Sequence, residues 1–413
     1  FLNVFSARAP GPPRPVMVWI HGGGFVQGSS NLALYDGRTL VRAGDVVVVS
    51  VNYRVGLAGF LTSPGLVAEG AAGNAGLRDQ VAALSWVRRN IAAFGGDPEN
   101  VTVFGESAGG ASICALLAAP AADGLFQRAI LQSAGGCNAS PLLAGGEGSR
   151  VARDRAWVEA LECVDEDPAA ELACLRAVSA ERLVEVTTEG PRSGLGLPDL
   201  GPTRDGAFLA TDAATRLRTL DRALITGSNA DEATTFVAAV PVPTERVFEV
   251  LVRAQLGTAA DAVLALYDLE DFDDPKAAYE AIVSDLSFVC PALHFAEDTA
   301  GGEAPSFTYH FTRSFEGALA ARGAFHGIEL FYLFGRFDEL AYTPRAEDLA
   351  IAAALQSAWT SFARAGTPDP GDVSWPVYEP GEATILGFDA PRLLTSTVRQ
   401  GRCDALRDVL MMP

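Results

Sequence analysis

The chain contains 413 residues, of which 31 are lysine or arginine and 51 are aspartate or glutamate, giving a formal net charge of −20 at pH 7. Nucleic acids bind proteins largely through cationic side chains, so this charge argues against a nucleic-acid partner. Hydrophobic residues make up 49% and charged residues 20% of the chain, which excludes disorder as its main state. The sequence has no run of 18 apolar residues and therefore predicts no membrane span.

Short apolar runs alternate with helical segments along the chain, a pattern that predicts an α/β fold with a mostly parallel sheet flanked by helices. The helical spacing of residues 77–91, between two such runs, indicates a strand–helix–strand unit. Residues 140–200 and 240–300 are predicted to be helical insertions over the sheet. No repeat or long polar linker divides the chain, so we expect residues 1–413 to form one domain. The predicted strands are 15–20, 45–53, 101–104, 128–132, 223–226, 307–311 and 383–386.

The strongest chemical signal follows the third predicted strand. That strand leads into Gly105-Glu-Ser-Ala-Gly109, and a helical run begins at residue 111. In a nucleophile elbow, a serine occupies a strained turn between a strand and a helix, and the flanking glycines prevent collisions. The GxSxG pattern alone can be an ordinary glycine-rich loop, but in this context it predicts Ser107 as a nucleophile.

A second motif, Trp19-Ile-His-Gly-Gly-Gly-Phe25, follows the first predicted strand. A serine nucleophile forms a tetrahedral intermediate, and its oxyanion needs hydrogen-bond donors. Glycines allow backbone N–H groups to point into a site, as in the HGGG loop of esterases and lipases. The N–H groups of Gly23, Gly24 and Ala108 are therefore the predicted oxyanion donors. A plain turn is the alternative for this motif alone, but the two motifs together favour catalysis.

The general base must be one of four histidines. In α/β hydrolases the acid and the base follow the serine in the chain, which excludes His21 and leaves it as part of the scaffold of the oxyanion loop. His294 lies in an apolar helical run and is predicted to be a packed structural residue. His326 lies in a loop with small neighbours and is the preferred base, with His310 as the alternative.

The acid that orients the base is expected between the nucleophile and the base, in a loop that follows a strand. Asp231 and Glu232 both lie beyond the strand predicted at 223–226, and spacing does not choose between them. Asp205 is a further candidate, although an Asp-Gly pair more often forms a turn.

The cysteines indicate disulfides rather than a metal site. Neither CxxC nor HExxH occurs, so the sequence predicts no metal. The six cysteines are either buried thiols or disulfides formed in an oxidising compartment. Cys163 and Cys174 enclose a short acidic loop and are predicted to form a bond that closes a small ring.

With these residues in place, the sequence resembles the type-B carboxylesterases, which are cholinesterase-like α/β hydrolases, in their bacterial branch. The resemblance implies the α/β-hydrolase fold and identifies Glu232 as the catalytic acid. It also supports His326, and it places Glu106 and Ser133 at positions that shape the electrostatics and hydrogen bonding of the site in relatives. The match runs through nearly the whole chain and is densest at 51–60, 73–80, 94–98, 104–110 and 325–329.

The same resemblance implies two disulfides. Cys114 and Cys137 match no pair, and they either bond to each other or remain buried thiols. In relatives, a further N-terminal portion precedes the segment similar to residues 1–5, so the chain is expected to be N-terminally incomplete. The two implied disulfides are Cys163–Cys174 and Cys290–Cys403.

The expected activity is hydrolysis of small-molecule carboxylic esters, with no metal or organic cofactor and with no oligomeric state defined by the sequence. Ser107 attacks the carbonyl, His326 accepts and returns the proton, and Glu232 orients the imidazole. Because the base must be neutral, activity is expected to fall below about pH 6.5. The same chemistry on amides, carbamates, polyesters or choline esters is the alternative, and a catalytically inactive binding protein is a more distant one. The expected disulfides predict a secreted or extracytoplasmic protein.

Overall fold

The computed structural model describes the chain from residue 1 to residue 410 with short gaps. Within the described residues, none of the helices combines the length and the apolar character needed to cross a bilayer. The described residues are 1–7, 11–135, 140–144, 146, 148–193, 195–209, 213–371, 373–379, 385–389, 394–396 and 399–410.

A nine-stranded sheet forms the frame of the described residues. Its strands are β1 (Leu2–Phe5), β2 (Arg14–Ile20), β3 (Val47–Val51), β4 (Gly96–Glu106), β5 (Arg128–Gln132), β6 (Ala223–Asn229), β7 (Ser306–Phe311), β8 (Ile385–Phe388) and β9 (Leu394–Ser396). They lie in the order β1-β3-β2-β4-β5-β6-β7-β8-β9. The strands from β3 to β8 in this order are parallel to their neighbours, and the two edge strands β1 and β9 pair antiparallel.

Helices cover both faces of this sheet. A five-residue π-helical segment, Asp285–Val289, joins α12 to α13. The helices are α1 (Arg38–Gly44), α2 (Leu57–Phe60), α3 (Pro64–Ala68), α4 (Ala75–Asn90), α5 (Ala108–Ala118), α6 (Arg150–Ala160), α7 (Pro168–Ala177), α8 (Ala180–Thr187), α9 (Ala213–Arg218), α10 (Glu245–Leu256), α11 (Ala260–Leu264), α12 (Pro275–Ser284), α13 (Cys290–Thr299), α14 (Ile328–Leu333), α15 (Ala346–Ala365) and α16 (Gln400–Leu410).

The central strands are apolar throughout because both of their faces are buried. In β2, Val16 and Val18 enter the hydrophobic cluster that contains α4 and α5, whereas Met17 and Trp19 enter the cluster that contains α14 and α15. Successive side chains of a strand point to opposite faces, so a strand covered on both sides needs a continuous apolar run. This burial explains why these strands could be predicted from the sequence.

All seven predicted strands are present; the strand predicted at 128–132 has the same bounds as β5, and the other six differ at one or both ends. The third begins at Gly96 rather than Val101, because the polar residues 96–100 continue the sheet after a register shift opposite β2. The last is β8 at Ile385–Phe388, and residues 383 and 384 of the prediction lie outside the described residues. The sequence analysis missed β1 and β9, which are short strands at the two edges of the sheet.

The two regions predicted to be helical insertions contain helices, as expected. Helices α10 to α13 build a separate hydrophobic cluster that also includes Cys403 and Leu406 of α16. The acidic segment between Cys163 and Cys174 is only partly a loop, because α7 begins at Pro168 and contains Cys174. Asp167 caps this helix through a hydrogen bond from the N–H of Ala169, which explains why a helix starts inside the predicted ring.

Candidate active site

The predicted catalytic residues follow the carboxyl ends of neighbouring parallel strands. Ser107 follows β4, Ser133 follows β5 and Glu232 lies just beyond β6. His21 follows β2, which pairs with β4. In open α/β sheets this edge is where ligands bind, because the loops that leave adjacent strands meet there.

Ser107 occupies a strained turn between β4 and α5. Its backbone has φ 57° and ψ −125°, a conformation that a residue other than glycine rarely adopts. Its N–H donates to Gln132 O at 2.9 Å, which fixes the turn to the end of β5. A Cβ at Gly109 would lie 2.0 Å from Ile20 O, so the first turn of α5 packs directly on the β2 backbone. This is the geometry of the predicted nucleophile elbow.

The glycine loop after β2 leaves its donors free. Gly23 has φ 114°, and a Cβ there would lie 2.2 Å from Gln27 O, so the tight turn requires glycine. Within the described residues, no hydrogen bond engages the N–H of Gly23, Gly24 or Ala108. The loop lies close to the serine, because a Cβ at the neighbouring Gly22 would be 3.0 Å from the Ser107 Cβ.

His21 holds this loop in place through a hydrogen bond and ring stacking. The imidazole is fully buried, and its Nδ1 donates to Gly22 O at 2.8 Å. The ring stacks on Tyr53 at 4.5 Å, and the Tyr53 hydroxyl donates to His21 O at 2.8 Å. Burial lowers the pKa of His21, so the ring is neutral at pH 7. These contacts give His21 the scaffold position that the sequence predicts.

Glu232 and His326 are in direct contact. The distance from His326 Nδ1 to Glu232 Oε2 is 2.6 Å. The other carboxylate oxygen, Oε1, accepts from the Ser133 hydroxyl at 2.5 Å and from the N–H of Asn229 at 2.7 Å. Glu232 is fully buried, and these three partners hold it in one orientation. Ser133, which the resemblance placed at the site, thus contacts the same carboxylate as His326.

The remaining acid candidates are occupied elsewhere. Asp231 Oδ2 accepts from the N–H of Ala324 at 2.8 Å. Asp205 Oδ1 accepts from three backbone N–H groups of its own turn, including that of Phe208 at 2.8 Å, which is the turn behaviour noted for Asp-Gly pairs. Of the three acidic candidates, Glu232 is the one for which the structure gives a contact with His326.

The alternative bases are also accounted for. His310 lies in β7 with its Nδ1 3.3 Å from the Ser228 hydroxyl, and burial lowers its pKa to about 3. His294 lies in α13 and contacts Cys403 O at 2.9 Å, as expected for a packed structural residue. Of the four histidines, His326 is the one that contacts a predicted acid.

Glu106 lies on the opposite side of the imidazole. His326 Nε2 is 3.0 Å from Glu106 Oε1, so each ring nitrogen faces a carboxylate. Burial lowers the pKa of His326, but the charges of Glu106 and Glu232 outweigh burial and hold that pKa well above its ordinary value. The structure gives no hydrogen bond between His326 and the Ser107 hydroxyl, and the ring has the surroundings of an imidazolium.

A third buried carboxyl, Glu329, was not recognised from the sequence. It accepts from Gln132 Nε2 at 2.9 Å and from Asn229 Nδ2 at 2.7 Å. Burial and the nearby charge of Glu106 raise the pKa of Glu329 to about 8. Glu329 stands three residues after His326, in the first turn of α14, and that spacing was the available signal.

Two phenylalanines also escaped the sequence analysis. The Phe288 and Phe236 rings lie 4.5 and 4.9 Å from the His326 ring. They stack on each other at 5.7 Å with an interplanar angle of 16°. Phe288 comes from the second insertion and Phe236 lies just before it, and no motif marks either residue.

The five cysteines that the structure describes are disulfide-bonded. The Cα atoms are 5.4 Å apart in Cys163–Cys174 and 5.0 Å apart in Cys290–Cys403. Cys114 is also disulfide-bonded, and Cys137 lies outside the described residues. No group of three or more potential metal ligands occurs in the part of the chain that the structure describes.

The chain matches known esterases along most of its length. The model of the carboxylesterase family matches residues 1–406. The chain is 35% identical to a fumonisin B1 esterase of Sphingopyxis macrogoltabida, covering 94% of this chain and 72% of that protein. It is also 35% identical to a para-nitrobenzyl esterase of Bacillus subtilis, with 94% and 78% covered, and 34% identical to a cholinesterase of Mus musculus, with 98% and 71% covered.

A solved structure supports the same assignment. The fold superimposes on that of a thermophilic PNB esterase with a TM-score of 0.83 and 33% identity, covering 99% of this chain and 83% of that one. The mostly parallel sheet flanked by helices is therefore the α/β-hydrolase fold, as predicted. By sequence and by structure, the chain belongs to the carboxylesterase family and is a carboxylic ester hydrolase.

Proposed function

We propose that the protein hydrolyses small-molecule carboxylic esters through a Ser107–His326–Glu232 triad and an acyl-enzyme intermediate. Ser107 Oγ attacks the ester carbonyl while His326 Nε2 takes its proton, and the protonated imidazole then gives that proton to the departing alcohol. Water, activated by the same nitrogen, attacks the acyl-enzyme and releases the acid and the free serine.

The contact between Glu232 and His326 carries this proposal. The 2.6 Å distance from Oε2 to Nδ1 keeps the proton on Nδ1, which leaves Nε2 as the nitrogen that can accept the serine proton. It joins a buried acid to a histidine that lies 3.0 Å from Glu106, the residue before a serine on a strained strand-to-helix turn. The order of these residues in the chain is the one expected for the fold.

The N–H groups of Gly23, Gly24 and Ala108 are the proposed oxyanion hole. The absence of competing hydrogen bonds on them, within the described residues, supports this role. Loss of one such donor typically reduces kcat by about 10²- to 10³-fold. Fixed backbone donors suit this task because they do not reorganise during the reaction.

The central test is turnover of p-nitrophenyl acetate by the wild-type chain and by Ser107→Ala and His326→Ala. We expect each variant to lose roughly 10⁴-fold or more in kcat, because the two residues act as a unit. Labelling with a fluorophosphonate probe should occur in the wild type and be absent from Ser107→Ala. Asp231→Asn is the matched control, and unchanged turnover in either triad variant would refute the assignment.

The remaining proposals concern the compartment and the organisation of the chain. The disulfides support a secreted or extracytoplasmic protein, because such bonds persist in oxidising compartments. The sheet runs from β1 near the start of the chain to β9 near its end, which supports a single domain over residues 1–413.

A further inference from the structure

The segment Asp285–Val289 interrupts the helical path from α12 to α13 with a π-helical turn. Such turns insert an extra residue into a helix at a cost in hydrogen-bond geometry, and they often occur at functional sites. Here the turn carries Phe288, which is 5% exposed and whose ring lies 4.5 Å from the His326 ring. The π-helical turn thus places the Phe288 ring against the proposed base.

Phe288 and Phe236 form an aromatic pair against the imidazole. Both ring centroids lie within 5 Å of the His326 ring, at 4.5 and 4.9 Å, and both planes are tilted to it. Phenylalanine rings are rigid, and their faces attract a cation within about 6 Å. The pair therefore restricts the orientation of the imidazole and favours the imidazolium that forms during catalysis.

A buried carboxylate anchors the π-turn. Asp285, the first residue of the turn, is fully buried and accepts from the Tyr267 hydroxyl at 2.8 Å. Two arginines at the start of α16 also reach it: Arg399 forms an ion pair with Oδ1, and Arg402 lies 3.5 Å from Oδ2. The Cys290–Cys403 disulfide fixes α16 to α13 beside these contacts.

Arg399 also connects Asp285 to the turn that carries Glu232. Its Nη2 donates to Ala230 O at 3.1 Å, two residues before the acid. On the other side of the acid, the N–H of Ala233 donates to the Ser284 hydroxyl at 2.9 Å. Arg399 itself has φ 53°, an uncommon conformation for a residue other than glycine that persists only where surrounding contacts impose it.

We propose that Phe288 is a positioning residue for the general base, and that Arg399 sets its place by locking the π-turn to the turn of the catalytic acid. This inference rests on the proposed role of His326 and Glu232. Through Arg399 and the Cys290–Cys403 bond, helix α16 helps to hold the acid and the base in position, although none of its residues belongs to the triad.

The first test compares Phe288→Ala and Phe288→Leu with Phe248→Leu, a control in a buried phenylalanine of the same insertion. With p-nitrophenyl acetate and p-nitrophenyl hexanoate, we expect Phe288→Ala to lose about 10- to 100-fold in kcat, because small misplacements of a catalytic group cost that much. KM should stay within about twofold for both esters, because the defect lies in the base. Phe288→Leu should fall between Phe288→Ala and the wild type, and the control should match the wild type.

An independent readout is the downfield proton resonance of His326 Nδ1–H in its hydrogen bond to Glu232. We expect this resonance to broaden or vanish in Phe288→Ala and to persist in Phe248→Leu. A change in KM and in acyl-length preference, with kcat for the acetate ester preserved, would show that the ring is a substrate wall and would overturn the proposal. If Phe288→Ala does not fold, Phe288→Leu decides the matter by the same criteria.

The second test separates the two arginines that share Asp285. Arg399→Gln breaks the link to Ala230, whereas Arg402→Gln removes an arginine for which the described residues show no contact with Ala230. We expect Arg399→Gln to lose about tenfold in kcat and Arg402→Gln to stay within about twofold. Equal losses would overturn the role of Arg399. The Nδ1–H resonance of His326 in the wild type reports the position of the imidazole even if the protein turns over no ester. A failure of the proposed function is therefore distinguishable from a failure of the positioning proposal.

Discussion

The proposed active site has two halves that are held in place by different means. The nucleophile half, defined as Ser107 with the glycine loop 21–27, is fixed by backbone contacts, such as the close approach of Gly109 to Ile20 O. The base half, defined as Glu232 and His326 with the residues that contact them, is fixed by side-chain hydrogen bonds and aromatic packing.

Because of this difference, substitutions in the two halves should have different effects on the stability of the fold and on the activity. A backbone contact tolerates no added atom, so changes in the nucleophile half should damage the fold. A side-chain contact can be removed with little change in volume, so changes in the base half should reduce activity and leave the fold intact. The three predictions below test this contrast, from the largest expected effect to the smallest.

Gly109→Ala should be the most damaging change. The added Cβ would lie 2.0 Å from Ile20 O, and the backbone of α5 or β2 would have to move. We expect destabilisation of about 3 kcal/mol or more, together with loss of turnover. Thermal unfolding followed by circular dichroism measures it. Gly301→Ala is the control, because nothing lies within 4 Å of a Cβ there, and equal melting temperatures for both variants would contradict the prediction.

Glu232→Gln should abolish most of the activity while preserving the fold. The amide is nearly the same size as the carboxylate, but it cannot hold the imidazole in the required tautomer. We expect a loss of roughly 10³- to 10⁴-fold in kcat with a melting temperature close to that of the wild type. Steady-state kinetics and thermal unfolding on one sample give both values. A large fall in melting temperature would show that the base half also maintains the fold.

Glu106→Gln should shift the pH profile. Because the pKa of His326 is held well above its ordinary value, the base becomes neutral only at higher pH, and the acid limb of kcat/KM should lie above pH 6.5 rather than at it. Removing the charge beside Nε2 lowers that pKa, so the limb should move to lower pH by about one unit. Profiles of both proteins between pH 5 and 9 measure the shift, and an unmoved limb would contradict it.

The sequence predicts the nucleophile half better than the base half. Gly105-Glu-Ser-Ala-Gly109 and His21-Gly-Gly-Gly24 are contiguous motifs, because a turn built from the backbone requires particular residues at adjacent positions. The central strands were predictable for a related reason, since burial on both faces demands continuous apolar runs. The edge strand β1 has no such demand, because all four of its residues are only half-buried.

The base half depends on contacts between distant parts of the chain. Asp231 and Glu232 could not be separated by spacing, and the contacts of Glu232 with Ser133 and His326 separate them in the structure. Phe288 and Arg399 carry no local signal for their roles. Phe288 lies in the π-helical segment and Arg399 directly precedes α16, and only tertiary packing brings them to the imidazole and to the turn of the acid.

The Cys290–Cys403 bond closes part of the chain into a covalent ring and leaves the residues before Cys290 outside it. It closes a ring with a sequence separation of 113, which includes the proposed base, whereas the proposed nucleophile and acid precede it. A single protease cut within that ring would leave both fragments joined through sulfur. The nicked protein would therefore keep His326 tethered beside Glu232, and the cut would be visible by electrophoresis only after reduction.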